Sequence, residues 1–121
     1  FSLGAKDRIG IKGANGSGKS SFIKAILGDP NICKEGQWCA PKICEIGYLA
    51  QDYQSLEPQK TVLETIEGLV PSWSHIQIRR LLADFLFFSN EEVSSQVWQL
   101  SGGEKARLSL AQIAAHTPKL L

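Results

Sequence analysis

The chain has 121 residues, which is enough for one domain at most. Its net charge of +1 provides no broad basic surface for nucleic acid or anionic membrane, and its apolar fraction of 43% is ordinary for a globular protein. No apolar run approaches the roughly 18 residues of a membrane span, so we expect no direct membrane insertion.

The first part of the chain predicts a strand, a glycine-rich turn and a helix. Residues 1–4 have the pattern of the end of a strand, and residues 5–7 form a predicted turn. Because Phe1 is not Met, we expect the natural N terminus to lie upstream. Alternating residues predict a short strand at 8–12, and an apolar stripe predicts a helix at 20–27 that Gly28 ends.

Residues 13–20, the phosphate loop, read Gly-Ala-Asn-Gly-Ser-Gly-Lys-Ser and fit the pattern G-x-x-x-x-G-K-[ST]. The glycines let the backbone turn with positive φ and approach a ligand closely, so that N–H groups can surround an anion. Lys19 supplies a cation for the outer phosphates, and Ser20 supplies a hydroxyl for Mg²⁺. The alternative, a glycine-rich turn without a ligand, leaves Lys19 and Ser20 unexplained.

The middle of the chain predicts two strands and a polar residue that follows the second of them. A loop at 29–36 is followed by a possible short strand at 37–40 and by a better one at 43–49. Gln51 then lies where open α/β sheets bind their ligands, and its amide could contact a water and a metal ion. The alternative is a glutamine in a surface loop.

The part of the chain between residues 61 and 92 is predicted to be mainly helical. Residues 61–69 predict a short helix, with Thr61 and Glu64 as a possible capping box. Residues 74–88 predict a stronger helix with a wide apolar face, and residues 89–92 predict the start of a short helical turn.

The last predicted helix opens with Leu-Ser-Gly-Gly-Glu and runs to about His116. Ser101 and Glu104 fit a capping box, but glycine in a first turn costs up to about 1 kcal/mol relative to alanine. Close approach of the backbone to a ligand would explain Gly102 and Gly103. The alternative is a capped helix in a flexible connection, and these residues alone leave the two open.

The three cysteines, Cys33, Cys39 and Cys44, are odd in number and do not have the spacing of a zinc site. We therefore predict reduced thiols of a cytosolic protein that act as small buried hydrophobic residues.

Together, these motifs resemble the nucleotide-binding domain of the ABC ATPases. Residues 13–20 match that family's Walker A motif, Gln51 its Q-loop glutamine, and residues 100–104 its signature motif. The glutamate at position 104 and the short interval between Gln51 and Ser101 resemble the ABC-F class, whose members carry two such domains in one chain without membrane segments.

The resemblance implies an α/β fold of the P-loop NTPase type. The chain would comprise the N-terminal part of the RecA-like core plus the helical subdomain of an ABC-type domain. The core with the phosphate loop and Q-loop would cover about residues 1–55, the helical subdomain with the signature about 56–104, and a return to the core 105–121. The Walker B strand would begin after Leu121, so we expect an incomplete sheet and a fragment that is inactive alone.

The resemblance also implies roles for individual residues. The residues expected to bind ATP are Gly13, Ala14, Asn15, Gly16, Ser17, Gly18, Lys19, Ser20 and Ser21. Lys19 would bind the β- and γ-phosphates, Ser20 would bind Mg²⁺, and Gln51 would contact the metal and the attacking water. The residues expected to act on ATP held by another domain are those of the signature: Ser101, Gly102, Gly103 and Glu104.

The implied partner is a second ABC domain in a head-to-tail arrangement that closes on ATP and opens after hydrolysis. For the ABC-F class, this cycle acts on the ribosome, in the cytoplasm. The alternatives are the ATP-binding subunit of a membrane transporter and a nucleotide-binding module that does not hydrolyse ATP.

Overall fold

The computed structural model of the chain describes residues 2–4 and 6–121, which form two compact units, Phe1–Ile43 and Cys44–Leu121. The predicted end of a strand at 1–4 and the predicted turn at 5–7 include Phe1 and Ala5, which lie outside the described residues. The division of the chain near residues 55 and 104 stays a prediction.

The described residues of the first unit contain one α-helix, α1 (Lys19–Ile26), which confirms the helix predicted at 20–27. The helix ends in a Schellman motif, in which Gly28 takes the left-handed conformation with φ 85°. The N–H of Gly28 donates to the carbonyl of Ala25 at 3.1 Å, and that of Asp29 to the carbonyl of Lys24 at 3.0 Å. Gly28 therefore ends the helix as predicted.

The three cysteines are free thiols and are all exposed. The prediction that they are buried is therefore wrong. Among the described residues of the first unit only Ala25 is buried, so this unit has almost no core to cover Cys33 and Cys39. Cys44 lies in a short 3-10 helix without a buried residue.

The strands predicted at 8–12, 37–40 and 43–49 are wrong for the described residues. The first two segments have no regular structure, and the third begins with a 3-10 helix, Ile43–Glu45. A strand is stabilised by backbone hydrogen bonds to a neighbouring strand. Within the described ranges, residues 8–12 and 37–40 have no such neighbour, which explains why an alternating sequence stays irregular.

The third segment, residues 43–49, pairs with another segment at one position. Ile46 forms an isolated parallel bridge with Leu120, and the N–H of Gly47 donates to the carbonyl of Leu120 at 2.7 Å. Beside this bridge, Lys119 forms an ion pair with Glu45, and the hydrogen bond raises the pKa of Lys119. The end of the chain therefore returns to the segment that precedes Gln51.

The second unit is a helical layer built from four α-helices. These are α2 (Val62–Glu67), α3 (His75–Asp84), α4 (Asn90–Ser94) and α5 (Gly102–His116), with a 3-10 helix, Val97–Gln99, before α5. Helix α2 contacts the three others, and α3 also contacts α5. The core is apolar and includes Val62, Ile66, Ile78, Leu82, Phe87, Val93, Val97, Leu108 and Ala111. Among the described residues, no helix has the length and apolar character that crossing a membrane requires.

All four of these helices begin with a capping box, in which a Ser or Thr side chain and a Glu or Gln three residues later satisfy backbone N–H groups. The boxes predicted at Thr61 and Ser101 are confirmed. Two further capping boxes, which begin at Ser74 and Ser89, have the same spacing. Because each N-cap contributes about 1 kcal/mol, the helix starts of this unit are set mainly by local sequence.

The helix predicted over 74–88 ends at Asp84, four residues early. It closes with a second Schellman motif, in which the N–H of Phe87 donates to the carbonyl of Leu82 at 2.9 Å. Here Leu86 occupies the left-handed position with φ 66°, which costs a non-glycine residue roughly 1–2 kcal/mol. Burial of Phe87 and Leu82 on either side of the turn offsets this cost.

Candidate functional site

The phosphate loop needs its glycines for two different reasons. Gly16 and Gly18 have φ values of 81° and 91°, a conformation that L side chains rarely adopt. Gly13 lies close to Ser17, and an added Cβ would lie 2.5 Å from the Oγ of Ser17, so that side chain would have to shift. The loop is exposed, so these requirements do not come from burial in a core.

The side chain of Lys19 is held over the phosphate loop. Its ammonium donates to the carbonyls of Gly13 and Ala14 at 2.8 and 2.7 Å, and it lies 3.4 Å from the Oγ of Ser17. The first residue of α1 thus places a positive charge on the loop that precedes the helix.

The backbone donors of the same segment are available to a ligand. The N–H groups of Gly16, Gly18, Lys19 and Ser20 have no acceptor within the part of the chain that the structure describes. The N-cap of helix α1 is Gly18, which provides no side-chain cap. Free N–H groups, a cation and a helix N terminus are features that suit an anion, and a nearby hydroxyl suits Mg²⁺. The loop residues therefore fit a magnesium-bound phosphate chain.

Gln51 belongs to the second unit, where it lies in an exposed turn. Its amide has no hydrogen-bond partner among the described residues. The following residues, Asp52 and Tyr53, line a groove together with Trp98 and Lys105, so the segment after Gln51 and the first turns of α5 come together. The predicted approach of Gln51 to the phosphate loop stays a prediction.

The signature motif forms the start of α5. The Oε2 of Glu104 accepts from the N–H and the Oγ of Ser101 at 2.7 and 2.6 Å. These hydrogen bonds, first that from the hydroxyl, lower the pKa of Glu104, and the charge of Arg107 lowers it further. The carboxylate therefore caps the helix in its charged form.

Gly102 and Gly103 are not required by the packing of this chain. A Cβ at either position would meet nothing within 4 Å among the described residues, and both have ordinary helical φ. At Gly47, by contrast, a Cβ would lie 2.5 Å from the Cγ2 of Ile113. The open space beside Gly102 and Gly103 favours close approach from outside, one of the two interpretations that the sequence left open.

The sequence motifs predicted no role for Arg107. Its guanidinium lies 5.4 Å from the ring centroid of Phe87, and its Nη1 donates to the carbonyl of Leu86 at 3.5 Å. The available signal was its spacing three residues after Glu104, which places both on one side of α5. Its partners could not be read from that spacing because they lie beyond the end of α3.

A family model described as "ABC transporter" matches residues 1–121. The chain belongs to this family. It is 37% identical over 115 residues to "Probable ATP-binding protein YheS" of Haemophilus influenzae, covering 94% of the chain and 18% of that protein. It is 37% identical over 111 residues to "ATP-binding protein Uup" of Buchnera aphidicola, covering 88% of the chain and 18% of that protein. It is 34% identical over 113 residues to "Putative ATP-binding protein YdiF" of Bacillus subtilis, covering 93% of the chain and 17% of that protein.

Membership in the ABC transporter family confirms the predicted fold, a P-loop NTPase of ABC type. This membership and the similarity to YheS and Uup together confirm the identification from the motifs, an ABC ATPase nucleotide-binding domain that is most like the ABC-F class. The chain spans less than a fifth of the length of the relatives it matches. The roles of individual residues stay predictions.

The capping box of Glu104 predicts a pH-dependent stability. Because the pKa of Glu104 is lowered on folding, its contribution is complete above the ordinary glutamate pKa of about 4.3 and is lost as the pH falls through the lowered value. We expect the melting temperature of the wild type to exceed that of Glu104→Gln near neutral pH and the difference to shrink toward about pH 3.

Melting curves recorded across this pH range by circular dichroism check the prediction. The control is Glu67→Gln, which changes an exposed glutamate at the end of α2 outside any capping box. A difference between wild type and Glu104→Gln that is the same at every pH would contradict it.

Proposed function

We propose that this chain binds ATP at the phosphate loop and, in the full-length natural protein, takes part in ATP hydrolysis. The observation that carries the proposal is the position of Lys19, whose ammonium lies over a glycine-rich loop with free backbone donors. The match to the ABC transporter family and the relatives named as ATP-binding proteins support it.

Different groups of the loop would bind different parts of magnesium-bound ATP, according to their chemistry. Lys19 would turn from the loop carbonyls to the β- and γ-phosphate oxygens, and the free N–H groups of Gly16, Gly18, Lys19 and Ser20 would donate to the same chain of phosphates. The hydroxyl of Ser20 would hold Mg²⁺, which usually keeps several waters and is bound through few protein ligands. Mg²⁺ would neutralise charge that develops on the phosphates. Gln51 would orient the attacking water through its free amide.

The signature would act on ATP held by a second ABC domain. Gly102 and Gly103 leave the first turn of α5 open, so backbone N–H groups could approach a phosphate that another domain carries. With donors divided between two domains, hydrolysis requires a head-to-tail pair, and binding and loss of the γ-phosphate would switch the pair between closed and open states.

The resemblance to the ABC-F class supports the ribosome as the target of this switch, in the cytoplasm. We expect the full-length protein to cosediment with ribosomes in the presence of a non-hydrolysable ATP analogue and to dissociate in ADP. Copurification with a membrane-spanning protein, without ribosome binding, would instead favour the ATP-binding subunit of a transporter.

The role of Lys19 is tested by ATP turnover of the full-length natural protein. We expect Lys19→Ala to lower turnover at least about 100-fold, because the mutation removes the cation that stabilises the transferred phosphoryl group. The control is Lys24→Ala, which removes an exposed lysine of the same helix and should leave turnover unchanged. Equal turnover of Lys19→Ala and wild type would refute ATP hydrolysis at this loop.

The role of the open glycines is tested by Gly103→Ala. Alanine improves helix propensity by up to about 1 kcal/mol and its Cβ meets no atom of the described chain, so the melting temperature should stay or rise. Turnover should nevertheless fall at least about ten-fold, because the methyl group obstructs approach to the phosphate. The matched control is Gly68→Ala, at a helix end with φ −63°, which should keep turnover. Full activity of Gly103→Ala would contradict the proposed approach.

A further inference from the structure

The side chain of Arg107 connects the signature helix to the loop at the end of α3. It lies on α5, one turn after Glu104, and donates from Nη1 to the carbonyl of Leu86 at 3.5 Å. The Cζ of its guanidinium lies 5.4 Å from the centroid of the Phe87 ring. Because Phe87 is only 2% exposed, Arg107 binds to a fixed part of the core.

The loop that Arg107 contacts, residues 85–89, is held from several sides. Leu86 keeps a left-handed conformation that a leucine adopts only at a cost. Arg79 of α3 donates to the carbonyls of Phe88 and Ser89 at 3.1 and 3.3 Å. The Oε2 of Glu92 accepts from the N–H groups of the same two residues at 2.9 and 2.8 Å. Such an unfavourable conformation persists only where the surroundings determine it several times over.

Arg107 also lies close to the caps of two helices. Its positive charge lowers the pKa of Glu92, the capping residue of α4, as a minor addition to the hydrogen bonds from Ser89 and Phe88. It acts in the same sense on Glu104, where the hydrogen bonds from Ser101 have the larger effect. The guanidinium is therefore near the loop, the start of α4 and the start of α5.

We propose that Arg107 is a positioning residue for the signature, which fixes the first turn of α5 relative to the 85–89 loop and so sets where Ser101, Gly102 and Gly103 stand. The inference rests on the proposed function, since it concerns how the signature reaches ATP on a second domain. A displacement of about 1 Å can cost about 100-fold in rate, so the anchor matters for turnover. A guanidinium suits the task because it can stack on a ring and donate to a carbonyl at once.

The test compares ATP turnover of Arg107→Ala and Arg80→Ala in the full-length natural protein. Arg80 is an exposed arginine of α3 without a partner among the described residues, which makes it a matched control. We expect Arg107→Ala to lower kcat at least about ten-fold with KM for ATP within about two-fold, because the phosphate loop is unchanged. Arg107→Lys should recover part of kcat, since an ammonium can still lie over the ring.

Measuring Arg107→Ala in a Leu86→Gly background separates an effect on the position of the signature from an effect on the stability of the loop. Leu86→Gly keeps the carbonyl that Arg107 binds and removes the cost of the left-handed conformation, so it offsets the loop stability that Arg107→Ala removes. We expect Arg107→Ala to lower kcat at least about ten-fold in this background as well. If kcat returns to the level of Leu86→Gly alone, Arg107 only stabilises the loop and the proposal is overturned.

Lys19→Ala, assayed in parallel, separates failure of this inference from failure of the proposed function. If Lys19→Ala keeps full turnover, hydrolysis at the phosphate loop is refuted and the role of Arg107 falls with it. If Lys19→Ala loses turnover while Arg107→Ala matches Arg80→Ala, only the positioning role is overturned.

Discussion

The first turn of an α-helix leaves backbone N–H groups without partners, and this chain answers that constraint in two opposite ways. In α2–α5 a capping box satisfies these donors with a Ser or Thr and a Glu or Gln. In α1 the helix begins at Gly18 with no side-chain cap, and its donors stay open beside the ammonium of Lys19. The capped starts belong to the helical unit, and the uncapped start leaves backbone donors open at the proposed anion site.

The two Schellman motifs show which helix ends a sequence can predict. Helix α1 ends at Gly28, the residue type that takes the left-handed position at no cost, and the predicted end was correct. Helix α3 ends with Leu86 in the same position, where apolar periodicity continues unbroken through the turn. Tertiary packing ended this helix before its apolar periodicity did, because burial of Phe87 determines where the chain must turn. Local chemistry therefore predicted one end, and packing determined the other.

The same distinction separates the predicted helices from the strands that did not form. A capping box and an apolar stripe lie within one segment, so a helix can be read from contiguous residues. A strand depends on a neighbour, and within the part of the chain that the structure describes residues 43–49 have one only where Ile46 meets Leu120. In the site, the phosphate loop was predictable because its chemistry is contiguous. Arg107 was not, because its partners Leu86 and Phe87 are remote in sequence.

Glycine is informative only when the reason for it is known, and the chain contains three kinds. Gly16 and Gly18 adopt backbone angles that other residues avoid, whereas Gly47 lies against Ile113 with no room for a Cβ. Gly102 and Gly103 have neither reason: their φ is helical and the space beside them is open. Since two glycines in a first turn cost up to about 1 kcal/mol each, a purely structural role would favour alanine there. The open space beside Gly102 and Gly103 therefore supports the proposed approach of a second domain to this turn.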